Sequence, residues 1–111
     1  MNWNHLTSAD QLNSIIEESE ISPVLIFKHS TRCSISSMAL NRLERSWDES
    51  DGIKPYYLDL IQYRPLSNQI EEQLNVQHQS PQAILIRNKE VVHHNSHMGI
   101  SYADFIKFVT A

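Results

Sequence analysis

The chain has 111 residues, 41% of them hydrophobic, with a formal net charge of −4 and one cysteine, which suits a single folded domain over 1–111 and excludes an internal disulfide. The acidic balance, with basic residues scattered rather than striped, argues against nucleic acid as a partner. The first basic residue is Lys28 and no apolar run exceeds four residues, so neither a signal peptide nor a membrane span is expected, and the reading is a cytoplasmic protein.

In chain order, Ser8 and Gln11 have capping-box spacing ahead of Leu12, Ile15 and Ile16, which predicts a helix over about 8–19 with one apolar face. Pro23 then introduces Val24-Leu25-Ile26-Phe27, a β-prone run without polar alternation that suits a central strand buried on both faces. After His29-Ser30-Thr31-Arg32-Cys33, the positions Ile35, Ala39, Leu43 and Trp47, with Met38 and Leu40 beside them, recur at helical spacing until Gly52 marks the exit. Tyr56 to Leu60 reads as a second strand, and Pro65 falls in the first turn of a helix carrying Leu66, Ile70 and Leu74. Ser80-Pro81 leads into Gln82 to Ile86, which Arg87 to Glu90 links to Val91 to His94 as an antiparallel hairpin. Gly99 closes that segment, and Ser101 with Asp104 caps a last helix bearing Tyr102, Phe105, Ile106 and Val109. The tally is α-βαβ-α-ββ-α, an α/β fold with a four-stranded mixed sheet flanked by helices. Pattern alone leaves the strand order open.

Cys33 falls between the end of a strand and the start of a long helix, where unpaired N–H groups and the helix dipole favour an anion. A thiolate is that anion, and such a position pulls a cysteine below its free pKa of about 8.5, with Arg32 acting in the same direction. The competing reading, an inert buried cysteine, sits poorly with the polar neighbours Ser30, Thr31, Arg32 and Ser34.

The segment Val24 to Ser36, ending in Cys33-Ser34-Ile35-Ser36, resembles the redox loop of the thioredoxin superfamily with its second cysteine replaced by Ser36, and Ser80-Pro81-Gln82 resembles the cis-proline segment that faces that loop. His29 to Cys33, Asp59-Leu60-Ile61, the Ser-Pro-Gln triplet and His94-Asn95-Ser96-His97 together are similar to the monothiol bacilliredoxins of the bacillithiol system, over about Trp3 to Val109. The resemblance implies a thioredoxin-like fold with strand order 2-1-3-4. It also implies a monothiol thiol-disulfide oxidoreductase in which Cys33 attacks the mixed disulfide of a bacillithiolated client protein and takes bacillithiol onto its own sulfur. Bacillithiol would then be co-substrate, with no other cofactor, and an external thiol would recycle Cys33.

The resemblance further suggests binding roles around Cys33. Arg32 would meet the carboxylates of bacillithiol's malate, with Thr31 beside it and Lys28 assisting; ordinary solvated charge is the alternative for both basic residues. A cis Ser80-Pro81 bond would turn the Ser80 backbone toward the sulfur, where an incoming chain pairs with it. Ser36 would reach the thiolate from the next turn or else cap backbone. His29 would act as a base or tune the thiol, or else lie on the surface, and His97 would line the groove. A metal site at His93, His94 and His97 is not expected, since adjacent strand residues point to opposite faces. Two other functions remain open: a carrier of an iron–sulfur cluster or thiol, of monothiol-glutaredoxin type, and a noncatalytic binding module. Against the carrier, Ser34 stands where that family has a small glycine, and no paired glycines follow the hairpin.

Overall fold

The computed structural model of the protein describes residues 1–109. Its elements are strand β1 (Asn4–His5), helix α1 (Ala9–Glu18), strand β2 (Val24–His29), helix α2 (Ser34–Ser46), strand β3 (Lys54–Asp59), helix α3 (Arg64–Leu74), strands β4 (Gln82–Arg87) and β5 (Glu90–Ser96), and helix α4 (Tyr102–Ile106). Single 3-10 turns at Glu49–Asp51 and His97–Gly99 bridge α2 to β3 and β5 to α4.

The strands form one sheet in the order β1-β3-β2-β4-β5. Strand β2 is at its centre, parallel to β3 and antiparallel to β4, and all six of its residues are buried. Its side chains alternate between two cores. Val24 and Ile26 pack with Leu12 and Ile15 of α1 and Ile70 of α3, whereas Leu25 and Phe27 pack with Ala39 and Leu43 of α2 and Phe105 of α4. A run apolar on both faces is what a central strand covered by helices on each side requires. The same alternation decides the fate of the two polar residues that end it, Lys28 and His29.

Three details differ from the sequence expectation. The sheet has five strands, because Asn4 and His5 pair with Tyr56 and Tyr57 along the free edge of β3. Two polar residues carry no alternation to read; they are held there by their neighbours, Leu6 in the core and Trp3 against Phe27, Trp47 and Tyr57. The other four strands keep the order that the resemblance implied, 2-1-3-4. The buried stripe of α2 departs from expectation only at its start: Ala39 and Leu43 face inward as expected, but Ser36 takes the inward place in the first turn while Ile35 is 41% and Met38 51% exposed. Finally, Ser101 stands at the start of α4 without a side-chain capping bond; Asp104 donates its backbone N–H to the Ser101 carbonyl instead.

The hairpin turn between β4 and β5 needs only two residues, Asn88 and Lys89, both in the left-handed region at φ 54° and 67°. That conformation matches the twist of a tight hairpin. The turn is anchored by the end of α1: the Asn88 amide donates to the Ser19 carbonyl at 2.9 Å and the Lys89 amide to Ser19 Oγ at 2.8 Å. Ser19 is buried, so Ser19→Ala leaves the Lys89 amide without its acceptor. A destabilisation of about 1–3 kcal/mol is expected in urea unfolding; no change in midpoint would show that water replaces the hydroxyl freely.

Candidate active site

The C-terminal ends of β2, β3 and β5 and the N-terminal end of β4 all lie along one rim of the sheet. Helix α2 begins at this rim. Cys33 is its N-cap, with extended backbone (φ −110°, ψ 120°), and is partly exposed. Its amide donates to the Ser30 carbonyl at 3.1 Å and its carbonyl accepts from the Ser37 amide at 3.1 Å, so the residue is fixed on both sides while its thiol makes no capping bond. The sulfur therefore stands at the positive end of a 13-residue helix, where backbone N–H groups lack intrahelical partners.

Ser36 does not serve the thiol directly. It is fully buried: its Oγ accepts the Ser30 amide at 3.0 Å and meets His29 Nδ1 at 2.7 Å. A hydroxyl has one hydrogen and two lone pairs, so it can accept the Ser30 amide and bond Nδ1 at the same time in either ring tautomer. The third residue of the helix thus points back into the core and clamps the loop that carries Cys33.

His29 is correspondingly no surface residue. It is 5% exposed, stacked on Phe27 at 6.0 Å and tilted against Tyr57 at 5.4 Å. Burial holds its pKa below the usual 6.5, outweighing the opposing pull of Asp59 and Glu44. The imidazole is neutral at physiological pH and works as a spacer between the sheet and the loop.

Lys28 corrects the expectation more sharply. Strand alternation sends it to the face opposite α2, where it is fully buried and neither solvated nor turned toward the thiol. Its Nζ donates to the Ser67 carbonyl of α3 at 3.3 Å and to His78 Nδ1 at 3.2 Å.

The remaining expected residues share the rim with Cys33. Thr31 and Arg32 are exposed in the loop itself. The Ser80-Pro81 peptide is cis, with Ser80 partly exposed and Pro81 buried. Lys28 opposes Gln82 in the sheet, so the chain just before β4 lies across from the start of the Cys33 loop. His97, exposed and at φ 54°, donates its amide to the Pro81 carbonyl at 3.0 Å. Arg42 of α2 donates to the Met98 carbonyl at 3.0 Å and ties that turn to the helix. The sequence reading missed the apolar side chains displayed nearby: Ile35 and Met38 on α2 and Met98, 50% exposed, in the 3-10 turn. Periodicity had placed Ile35 and Met38 with the inward-facing residues of α2.

One thiol at a helix N-terminus, on the rim of a thioredoxin-type sheet that also carries a cis-proline, defines a thiol redox protein of the one-cysteine kind. The comparisons narrow this. The family model described as monothiol bacilliredoxin BrxC matches residues 4–105, and the chain belongs to that family. A solved structure described provisionally as an oxidoreductase with a thioredoxin fold is 36% identical, superposes with a TM-score of 0.82, and is matched over 93% of this chain and 89% of its own. Thioredoxins from Malassezia sympodialis (17% identity, TM-score 0.74, 99% and 92% of the two chains) and Trypanosoma brucei brucei (16%, 0.73, 96% and 86%) share the fold. Among the described residues no helix is long and apolar enough to cross a membrane.

Burying the Lys28 ammonium lowers its pKa from 10.5 to about 8, an effect that the nearby Glu71 carboxylate opposes and Arg64 reinforces. The cost of the charge is in force below pH 8 and fades as pH rises toward 10.5, so folding stability gains with pH across that window. Urea midpoints of the native protein should rise relative to those of Lys28→Met between the two ends of the window. A difference that stays constant would mean the amine titrates alike in folded and unfolded chains.

Proposed function

We propose that this protein strips bacillithiol from mixed disulfides on client proteins, using Cys33 as the attacking thiolate. The observation that carries the reading is the environment of the one sulfur: partly exposed, at the N-terminus of α2, on the rim that bears Ser80 and Pro81, with buried Ser36 in place of a resolving cysteine. In the first step the Cys33 thiolate attacks the bacillithiol sulfur, the client's S–S bond breaks, and the client leaves as a thiolate that takes a proton from water. Cys33 now carries bacillithiol in a new disulfide. Electrons balance, since one S–S bond is exchanged for another and nothing is oxidised overall. Recycling requires an outside thiol, either a second bacillithiol or a dithiol partner, because the chain holds no other cysteine.

The neighbours have distinct tasks in this scheme. Arg32, exposed next to the sulfur, pairs with the malate carboxylates of bacillithiol, and Thr31 flanks it. The Ser80 backbone and exposed His97 meet the client's chain, while Ile35, Met38 and Met98 supply apolar contact. Such chemistry belongs in a reducing, cytoplasmic compartment.

Mixing the reduced protein with a bacillithiolated client and weighing both by mass spectrometry tests the proposal. Client release should be matched by a bacillithiol adduct on Cys33, and Cys33→Ser should abolish both; release with no adduct on Cys33 would overturn it. Because Arg32 is solvated, Arg32→Ala should slow attack on the bacillithiol disulfide by only about two- to fivefold. The same change should leave attack on a client capped with an uncharged small thiol unaltered, and equal slowing of both would remove Arg32 from recognition.

A further inference from the structure

On the face of the sheet away from α2 lies a buried polar cluster that thiol exchange at Cys33 does not itself explain. Lys28 is fully buried with its Nζ between the Ser67 carbonyl and His78 Nδ1. Ser67 is equally buried, and its Oγ lies 3.4 Å from the same ring nitrogen. The His78 amide donates to the Glu71 carboxylate. Gln82, directly across the sheet from Lys28, donates from Nε2 to the Gln77 carbonyl at 2.9 Å. Side chains from β2, α3 and β4 thus converge on a stretch, residues 75–80, that has no regular structure of its own. That stretch ends in Ser80 and Pro81.

Resting on the function proposed above, we propose that Lys28 and His78 are positioning residues for exchange with protein partners: their hydrogen bond holds the segment presenting Ser80 and Pro81, and protonation of His78 releases it. An ammonium has three donors and no acceptor, so Nδ1 must offer its lone pair to Lys28 and the ring must be neutral for the bond to exist. A proton on Nδ1 would set two donors, and two positive charges, 3.2 Å apart at a partly buried site. The charged groups around the pair are Arg64 and Glu71 of α3; Leu58 of β3 and Gln82 of β4, which oppose Lys28 in the sheet, are neutral. Burial, then Lys28, then Arg64 hold the His78 pKa below 6.5, with Glu71 pulling the other way, so the bond is intact at neutral pH and is lost on acidification. Residues that never touch the partner would in this way set how well the rim receives it.

The test compares the wild type, His78→Asn, His78→Ala and Lys28→Met with a bacillithiolated protein as substrate, from about pH 7.5 to about pH 5. Asparagine keeps an acceptor near the position of Nδ1 but does not titrate. KM and kcat are measured, and Cys33 alkylation by iodoacetamide is followed in parallel to report the thiol alone. For the wild type, KM should rise about fivefold on acidification after correction for alkylation, because the competent loop is less populated. His78→Asn should flatten that rise, His78→Ala should show a raised KM throughout, and all variants should alkylate at the wild-type rate. Should His78→Ala or Lys28→Met fail to fold, the pH profile of His78→Asn decides alone. Profiles of His78→Asn superimposable on the wild type, or KM changes that merely follow alkylation, would overturn the inference while leaving the proposed function intact. Failure of the wild type to release the client at any pH would instead overturn the proposed function.

Discussion

One hydroxyl organises the functional rim. Ser36 Oγ, sealed in the core, holds the Ser30 amide and the His29 ring at once, and so joins the end of the central strand to the first turn of α2. Without that link the loop from Ser30 to Cys33 would be held by local backbone bonds, from the Cys33 amide to Ser30 and from the Ser37 amide to Cys33. A net hydrogen bond is worth roughly 0.5–1.5 kcal/mol, yet an unpaired buried amide costs about 1–3, so the asymmetry favours keeping the clamp closed. In a two-cysteine thioredoxin a sulfur would occupy this position. Here the position is structural, and under the proposed function the resolving thiol comes from outside.

The central strand divides the remaining labour. Period-two alternation, which sorts Val24 and Ile26 from Leu25 and Phe27, continues through Lys28 and His29 and sends adjacent polar side chains to opposite sides of the sheet. His29 supports the thiol loop from one side. Lys28 grips the approach to Pro81 from the other. Both are neutralised or partnered as buried polar groups must be: the imidazole is held uncharged by burial, and the ammonium is satisfied by a carbonyl and a ring nitrogen.

Much of this was legible in the residues, and the failures have physical causes. Helix α1 announced itself by the Ser8 cap, which does accept the Gln11 amide, and the two apolar runs became β2 and β4 because four consecutive β-prone residues suit strands covered on both faces. Cys33 was placed at the start of its helix by the strand before it and the periodicity after it. The cis state of Ser80-Pro81 was legible only through family resemblance, since local sequence favours trans. Strand β1 escaped because two polar residues have no period. The burial of Lys28 and His29 escaped because a polar pair ending a strand looks like its exit into solvent, and their partners, Ser67 and His78 for one and Ser36 for the other, are brought near only by the tertiary fold. In the first turn of α2 a serine with two buried partners took the inward position that apolar periodicity had assigned to Ile35, while Ala39 and Leu43 kept theirs.

The reading stands or falls on whether folding makes the Cys33 sulfur react faster than the same sulfur in an unstructured chain, by holding it partly exposed at the start of α2 on a clamped loop. The most direct measurement is the second-order rate of Cys33 alkylation by iodoacetamide at neutral pH, in the native protein and in the protein unfolded by urea. Faster reaction is expected in the native state. A native thiol that reacts no faster than the unfolded one would contradict it.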